Sequence, residues 1–246
     1  MAESPVLYEK DGEIGWVTLN RPEALNAINL VMRDLLWEII QALREDPDVG
    51  VAIIQGAGDR AFSAGADVKE FGTAPSYIAA RDARHQRDLW GQLLALDKPV
   101  VAALHGYVYG AGCEMSLCCD IRIAADDARF ALPEVTLGYI PSAGGTQLLP
   151  RTISPGAALS MILSGEAIDA QEALRLGLVQ RVAPRHQLRD AARGTATRLL
   201  AQPRLALRYA KRAITDGLDL PLGQGLALET RLAALLEAEG ARADGG

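Results

Sequence analysis

The sequence predicts an α/β fold with mostly parallel strands, followed by a layer of helices. Two continuous apolar runs, "VGVAIIQG" at residues 49–56 and "PVVAALHG" at residues 99–106, are typical of strands buried on both faces. Each run ends in glycine and is followed by apolar residues at helical spacing. From about Ser154 onward, nearly every periodic segment is helical. The repeated order of strand, glycine turn and helix indicates a parallel sheet covered by helices.

Strands and helices alternate through the first half of the chain. "EIGWVTLN" at residues 13–20 alternates between apolar and polar residues and predicts a strand. Residues 29–46 carry leucine and isoleucine at helical spacing, with Asn29 as the expected N-cap. A second helix is expected from Ser76 to Leu96. Two short strands are expected at "IRIAA" and "ARFAL", residues 121–125 and 128–132.

The last third of the chain has a different character. We expect five helices there, with glycines at three of their C-terminal ends: Gly165, Gly177 and Gly217. Only "LVQRVAP" at residues 178–184 predicts a strand. We therefore divide the chain into a core at residues 1–190 and a C-terminal helical region at residues 191–246. The final stretch, "GARADGG", is expected to fray.

Composition narrows the classes of function. The chain has 246 residues, 49% of them apolar, and a formal net charge of −6. It has no basic stripe with interleaved aromatic residues, so we expect no nucleic-acid partner. No apolar run reaches the roughly 18 residues of a membrane span, so we expect no membrane partner. The N-terminus lacks the pattern of a secretory signal.

The three cysteines bear on location and on metal binding. Cys113, Cys118 and Cys119 lie close together in an apolar context. An odd number of clustered cysteines among apolar residues fits neither a disulfide framework nor a zinc site. We expect buried thiols, no metal site and a cytoplasmic location.

Three segments consist largely of glycine, alanine and serine, and each precedes an expected helix: "AFSAGAD" at residues 61–67, "YGAGCE" at 109–114 and "PSAGGTQ" at 141–147. Small side chains let a ligand approach the backbone closely. The first amides of a helix are free to donate hydrogen bonds. Ala66 and Ala111 are candidates for the two amides of an oxyanion hole, although tight turns alone would give the same pattern.

Two glutamates are candidates for acid/base chemistry. Glu114 and Glu134 lie 20 positions apart, each beside a tight turn in apolar surroundings. Partial burial raises the pKa of a carboxyl group toward the range useful for proton transfer near neutrality. The alternative is a glutamate at a helix N-terminus and a glutamate in a surface loop. Asp67 and Asp120 are weaker candidates, since each would serve equally as a helix cap.

No other catalytic motif is present. The histidines, His85, His105 and His186, show no partner pattern, and no G-x-S-x-G elbow accompanies them. A phosphate-binding G-x-x-x-x-G-K-[ST] sequence is also missing.

Four stretches between Val6 and Gly217 resemble, in unbroken order, the enoyl-CoA hydratase/isomerase (crotonase) superfamily. They are "LNRPEALNAI", "RAFSAGADVKEF", the long stretch from "KPVVAALHG" through "PSAGGTQLLPR", and "SGEAIDAQEALRLGLVQRVAP". The resemblance implies a spiral of repeated ββα turns followed by a helical region that trimerises. It implies a homotrimer, or a homohexamer built as a dimer of trimers. Members of the superfamily usually continue through a further helix after the position of Glu239. The resemblance therefore implies that the C-terminal region of this chain is shorter than usual.

The resemblance also implies the site. Glu114 and Glu134 correspond to the catalytic pair, and the amides of Ala66 and Ala111 to the oxyanion hole, with alanine at 111 where hydratases typically have glycine. Tyr139 is expected either to line the acyl pocket or to be a packed or surface aromatic. Lys69 would supply positive charge to a phosphate of coenzyme A. The whole expected set of residues that contact the acyl-CoA is Ala24, Leu25, Ala64, Ala66, Asp67, Val68, Lys69, Ala111 and Tyr139.

The resemblance implies hydration of a 2-trans-enoyl-CoA to the 3-hydroxyacyl-CoA, with an acyl-CoA thioester as substrate and no cofactor beyond the coenzyme A of that substrate. The alternative within the family is a Δ3,Δ2-enoyl-CoA isomerase, which needs one base and no activated water. Outside the family, a glycosidase also uses paired carboxylates, but three Trp, three Phe and six Tyr are few for sugar binding. The acidic balance argues against a non-catalytic RNA-associated protein.

Overall fold

The computed structural model describes residues 4–70 and 88–243, with residues 240–243 as backbone only. The described residues form ten strands: β1 (Val6–Asp11), β2 (Ile14–Leu19), β3 (Val51–Gly56), β4 (Ala61–Ser63), β5 (Val100–Leu104), β6 (Tyr107–Tyr109), β7 (Ile121–Ala125), β8 (Arg129–Ala131), β9 (Ile168–Asp169) and β10 (Arg181–Ala183). One sheet has six strands in the order β1-β2-β3-β5-β7-β10, and the other has four in the order β4-β6-β8-β9. Only the β1–β2 and β8–β9 pairs are antiparallel, which confirms the predicted mostly parallel fold.

The described residues also form nine α-helices: α1 (Leu30–Glu45), α2 (Leu89–Leu94), α3 (Ala111–Leu117), α4 (Gly145–Thr152), α5 (Pro155–Ser164), α6 (Ala170–Leu176), α7 (Leu188–Leu200), α8 (Arg204–Gly217) and α9 (Leu222–Ala243). Asn29 caps α1, because its side-chain oxygen accepts a hydrogen bond from the amide of Met32 at 2.9 Å. Of the helix expected from Ser76 to Leu96, residues 76–87 lie outside the described residues, and its end is α2. Pairs of strands followed by a helix recur along the chain.

Two helix ends differ from the sequence prediction. Gly165 and Gly177 adopt the left-handed conformation at the ends of α5 and α6, as predicted. The prediction for Gly217 was wrong, because this residue is the last of α8 and right-handed backbone continues through Leu218. A proline, Pro221, then separates α8 from α9. The expected fraying of the C-terminal tail was also wrong as far as residue 243, since α9 is helical to that point.

The ββα repeat aligns the ends of three short strands. The chain passes from β3 of the large sheet to β4 of the small sheet, and likewise from β5 to β6 and from β7 to β8. Because β4, β6 and β8 run parallel, their carboxyl ends meet at one edge. The segments that follow are the small-residue turn at 64–67, helix α3 and the 3₁₀ helix Pro133–Leu137. The predicted site residues therefore come together from distant parts of the sequence.

The central strands of the large sheet, β3 and β5, are buried on both faces. Along β3, Ala52 and Ile54 pack into the main core, whereas Val51 and Ile53 pack into a second core. That second core lies against α7, which contributes Ala192 and other small residues. The continuous apolar character of β3 and β5 follows from this double burial. Because α7 spans residues 188–200, the boundary at residue 190 lies inside a helix, and the domain division stays a prediction.

In the part of the chain that the structure describes, no helix is both long and apolar enough to cross a membrane.

A buried arginine holds the C-terminal end of α3. Arg122 is 6% exposed. Its Nη1 donates to the carbonyl oxygen of Cys119 at 2.6 Å and to that of Ser116 at 3.3 Å. Its Nε donates to the carbonyl oxygen of Leu178 at 2.6 Å, just before β10. One side chain thus satisfies three carbonyl groups and links α3 to the segment that leads into β10.

We expect Arg122→Met to lower the free energy of unfolding by about 3 kcal/mol, because buried carbonyl groups would lose their donors. Urea unfolding measures the change. Arg181→Met, at an exposed position of β10, is the matched control and is expected to change stability by less than about 0.5 kcal/mol. Equal losses in the two variants would contradict the role given to Arg122.

Candidate active site

The turn after β4 and the turn after β6 touch through their backbones. Gly65 has a φ of +105°, and a β-carbon there would lie 3.0 Å from the carbonyl oxygen of Tyr109 and 3.3 Å from the amide nitrogen of Ala111. A side chain at position 65 would therefore force the two turns apart. The contact brings the predicted oxyanion residues, Ala66 and Ala111, to neighbouring positions.

The amides on both sides of Ala66 are already bonded. Ala64 N donates to the carbonyl oxygen of Leu25 at 2.9 Å, and Asp67 N donates to that of Ile28 at 3.0 Å. Gly65 N donates to the hydroxyl of Ser63 at 3.2 Å. Within residues 4–70 and 88–243, neither Ala66 N nor Ala111 N, the first amide of α3, has an acceptor. Ala66 is exposed and Ala111 half-buried, so both amides remain available to an incoming oxygen.

Glu114 is buried and held by amides. It lies in α3, which begins at Ala111 and not at Glu114 as the sequence suggested. The side chain is 2% exposed, and its Oε1 accepts hydrogen bonds from Ala143 N and Gly145 N, both at 2.8 Å. These donors lie at the start of α4, where the helix dipole also favours negative charge. A β-carbon on Gly145 would lie 2.9 Å from the same oxygen, so the small residue leaves room for the carboxylate.

Glu134 lies in a different environment. It belongs to the 3₁₀ helix Pro133–Leu137, and its Oε2 is buried without a hydrogen-bond partner among the described residues. Burial raises the pKa of Glu134 above its ordinary value, and the nearby charge of Glu114 raises it further, although a bond to its own backbone opposes the change. A β-carbon on Gly110 would lie 3.1 Å from Glu134 Oε1. Glu134 therefore contacts the turn that carries the amide of Ala111.

The two carboxyl groups are thus set apart by their surroundings. Both carboxyl groups are removed from water, Glu114 more completely than Glu134. Two N–H donors offset the cost of burying a charge on Glu114, whereas the unpaired oxygen of Glu134 leaves that cost unopposed and favours its protonated form. A pair of carboxyl groups in contrasting environments is suited to one base and one acid at the same pH.

The other predicted site residues lie around the same edge. Ala24 ends the 3₁₀ helix Pro22–Ala24, and Leu25 follows in left-handed conformation and bonds to Ala64. Val68 and Lys69 are exposed in the 3₁₀ helix Val68–Glu70. Tyr139 is 55% exposed, and its amide donates to the carbonyl oxygen of Glu134 at 3.0 Å.

Asp67 has protein partners already. Its Oδ2 lies 3.0 Å from Nη2 of Arg21, and its Oδ1 accepts from the amide of Lys69 at 3.2 Å. Burial raises the pKa of Asp67, but the Arg21 guanidinium and the Lys69 amide outweigh it and hold the pKa below its usual value. Asp67 is thus an anion held in the turn at residues 64–67, next to Ala66.

Several predicted candidates lie away from the site. Asp120 pairs with Lys211 at 2.7 Å and accepts a bond from Val100 N, which makes it a structural residue. His105 is buried, and its pKa falls to about 4 chiefly through burial. His85 lies outside the described residues. The three cysteines are buried free thiols, as predicted. In the described segments no group of His, Cys, Asp and Glu side chains could hold a metal ion.

Sequence reasoning missed the residues that hold the site from behind. The donors of Glu114, Ala143 N and Gly145 N, lie in "PSAGGTQ", which was noted for its small residues but not connected with Glu114. Arg21, Asn26 and Ser63 were missed as well. Asn26 carries no signal of this role in the sequence, since its full burial is seen only in the structure, where a buried side-chain amide is expected to have hydrogen-bond partners.

The sequence pattern of the family described as enoyl-CoA hydratase/isomerase matches residues 9–245. The chain belongs to the enoyl-CoA hydratase/isomerase family. It is 42% identical over 235 residues to a probable enoyl-CoA hydratase of Mycobacterium bovis, covering 94% of this chain and 89% of that protein. It is 40% identical over 242 residues to the 2,3-dehydroadipyl-CoA hydratase of Escherichia coli, covering 98% and 94%.

Solved structures share the fold of this chain. The enoyl-CoA hydratase from Bacillus anthracis superposes with a TM-score of 0.89 at 37% identity, covering 94% of this chain and 90% of that one. The protein DspI of Pseudomonas aeruginosa gives a TM-score of 0.90 at 34% identity, with 98% and 92% covered. These structures confirm the predicted crotonase fold, a ββα spiral followed by C-terminal helices. The named relatives confirm the prediction that the chain is an enzyme of the hydratase type.

We expect Glu134→Gln to gain stability relative to the parent protein as the pH rises. Because the folded pKa of Glu134 lies above the unfolded value of about 4.3, its contribution is fully present below that value and is lost as the pH rises through the raised pKa. Glutamine does not titrate, so the variant loses no such contribution to stability as the pH rises. Melting temperatures between about pH 4 and pH 8 measure the trend, with Glu166→Gln, at an exposed site, as control. If the difference in Tm between Glu134→Gln and the parent protein does not vary with pH, the raised pKa of Glu134 is contradicted.

Proposed function

We propose that the protein hydrates a 2-trans-enoyl-CoA thioester to the 3-hydroxyacyl-CoA. One observation carries the proposal: two glutamates in opposite environments lie beside two amides that have no acceptor among the described residues. Its relatives named as enoyl-CoA hydratases support the same reaction. Coenzyme A arrives as part of the substrate, and we propose no further cofactor.

The oxyanion hole begins the reaction. The thioester oxygen accepts hydrogen bonds from Ala66 N and Ala111 N, which draws electrons from the conjugated double bond and makes Cβ electrophilic. The enolate charge that then develops on the oxygen is stabilised where the amides already point. The methyl group of Ala111 leaves its amide free and narrows the pocket slightly.

The glutamates then divide the proton transfers. Glu114, as the carboxylate, accepts a proton from water while the water oxygen bonds to Cβ. Glu134, as the acid, donates its proton to Cα, which receives the electron pair of the double bond. Proton exchange between the two restores the starting state. Because the groups interact, their titrations belong to the pair rather than to either residue.

We propose that the coenzyme A portion lies along the loop at residues 21–26 and the turn at residues 64–67, which are joined by the bond from Ala64 N to the carbonyl oxygen of Leu25. Backbone of Ala24 and Leu25 would follow the pantetheine, with Ala64, Asp67 and Val68 beside it. The exposed ammonium group of Lys69 would meet a phosphate, which offsets the acidic balance of the chain. Asp67, paired with Arg21, contributes through its backbone. Tyr139 is proposed to line the acyl pocket.

An isomerase is the second candidate, since members of the family move double bonds as well as hydrate them. Crotonyl-CoA and a 3-enoyl-CoA separate the two reactions. Loss of the conjugated enoyl absorbance with crotonyl-CoA supports hydration, whereas its appearance with the 3-enoyl-CoA supports isomerisation. Inactivity toward crotonyl-CoA together with isomerisation would overturn the proposal.

We expect Glu114→Gln and Glu134→Gln each to lower kcat for hydration by at least about 10²-fold, because each removes one proton transfer. Binding of butyryl-CoA, measured by calorimetry, is expected to change little. Glu166→Gln, on the exposed turn after α5, is the control. Near-normal turnover in either active-site variant would contradict the assignment of its glutamate.

We also propose that the protein forms a homotrimer or a dimer of trimers in the cytoplasm. Helix α8 has a strongly apolar side yet contributes no buried residue within the described chain; Ile214 in this helix and Leu218 just after it are 63% and 72% exposed. Leu222 and Leu226 of α9, the helix that packs against α8, are exposed as well. Large apolar side chains exposed on two packed helices support an interface there. Three free thiols fit a reducing compartment.

Replacement of both Leu218 and Leu222 by glutamate is expected to reduce the oligomer to smaller species, because burying two carboxylates in an apolar interface is costly. Light scattering coupled to size exclusion measures the mass. Val31→Glu, at an exposed apolar position of α1, is the control. A monomeric parent protein would contradict the proposal.

A further inference from the structure

Two adjacent residues outside the catalytic groups adopt a conformation that they do not favour. Leu25 and Asn26 have φ values of 54° and 55°, and among the described residues they are the only non-glycine residues with positive φ. Asparagine enters this region with modest cost, whereas leucine does so rarely. Such backbone persists only where surrounding contacts hold it.

The side chain of Asn26 supplies those contacts. It is fully buried, and its Oδ1 accepts from Arg21 N at 2.9 Å. Its Nδ2 donates to the carbonyl oxygens of Ala57 and Ala61, at 2.9 and 2.8 Å. The first bond closes the loop at residues 21–26 on itself, and the other two fix that loop to the end of β3 and the start of β4.

The backbone of the loop at residues 21–26 also binds residues 63 and 64, which lie shortly before Ala66. The carbonyl oxygen of Asn26 accepts from the hydroxyl of Ser63 at 2.8 Å, and that hydroxyl accepts from Gly65 N. The carbonyl oxygen of Leu25 accepts from Ala64 N. The amides before Ala66 are thus directed inward, and Ala66 N is left for the ligand.

Ser63 also touches the second half of the oxyanion hole. A β-carbon on Gly112 would lie 2.7 Å from both Cβ and the carbonyl oxygen of Ser63. The second residue of α3 therefore rests directly on Ser63, one residue after Ala111. A shift of Ser63 would move the two amides relative to each other.

We propose that Asn26 is a positioning residue for the oxyanion hole: its buried side-chain amide holds the turn whose backbone carbonyl binds Ser63, and so fixes the separation and direction of Ala66 N and Ala111 N. It does not touch the substrate. The inference rests on the proposed function, because it assumes that these amides receive the thioester oxygen.

Asn26→Gly tests the proposal, since glycine keeps the left-handed backbone and removes only the side chain. Displacement of an oxyanion donor is expected to lower kcat for crotonyl-CoA roughly tenfold to a hundredfold, with KM changed less than about threefold. Bound cinnamoyl-CoA provides a second signal, because polarisation of its carbonyl moves its absorption to longer wavelength. The variant is expected to lose most of this shift.

Thr195→Val is the matched control. Thr195 is also buried and bonded, with Oγ1 donating to Ala191 O at 3.0 Å, but it lies in α7 on the far face of the large sheet. It is expected to lose stability while keeping kcat and the spectral shift. If Asn26→Gly does not fold, Ser63→Ala breaks the next bond along the same path, from the Ser63 hydroxyl to the carbonyl oxygen of Asn26, and is expected to change kcat and the spectrum in the same direction.

The outcomes separate the two proposals. If the parent protein hydrates crotonyl-CoA and shifts the spectrum, but the folded variants keep both, the role of Asn26 is overturned alone. If the parent protein neither hydrates nor shifts the spectrum, the proposed function fails and this inference with it. A parallel loss of kcat and spectral shift in the variants, but not in Thr195→Val, supports the positioning role.

Discussion

The site depends on one close contact between two backbones, that of Gly65 and that of residues 109–111. A β-carbon on Gly65 would lie 3.0 Å from the carbonyl oxygen of Tyr109, and one on Gly112 would lie 2.7 Å from Ser63, so a larger side chain at either position would push the two segments apart. This packing places the first amide of α3, that of Ala111, close to Gly65 and therefore to the turn that carries Ala66. The same contact fixes where Glu114 enters the core, three residues further along the helix.

The two glutamates are chemically identical groups that lie in different electrostatic surroundings. Glu114 receives amide donors from the start of α4, whereas Glu134 has an oxygen without a partner among the described residues. The difference between the two surroundings arises mainly from backbone amides, and the charge of Glu114 adds to it at Glu134. It is present before any substrate binds, and it would suit the roles of base and acid proposed for the pair.

Much of this was predictable from the sequence, and the reasons are local. The continuous apolar residues of β3 and β5 predict strands that are buried on both faces, and Asn29 predicts the start of α1. Glu114 and Glu134 stand out as acids in apolar surroundings. The donors to Glu114 were not predictable, because Ala143 N and Gly145 N lie on the backbone of a segment about thirty residues away and backbone amides carry no residue-specific signal. Gly217 shows the converse limit, since a glycine near a helix end need not adopt the left-handed conformation.

Arg122 has a consequence for how the molecule can be divided. This cation is buried at the C-terminal end of the helix that carries Glu114, and its acceptors come both from α3 and from Leu178. A chain shortened before Leu178 would keep the buried charge and lose an acceptor, which is costly in a low-dielectric interior. The residues that satisfy Arg122, and with it the end of the helix that carries Glu114, therefore extend past β8 to the segment that enters β10.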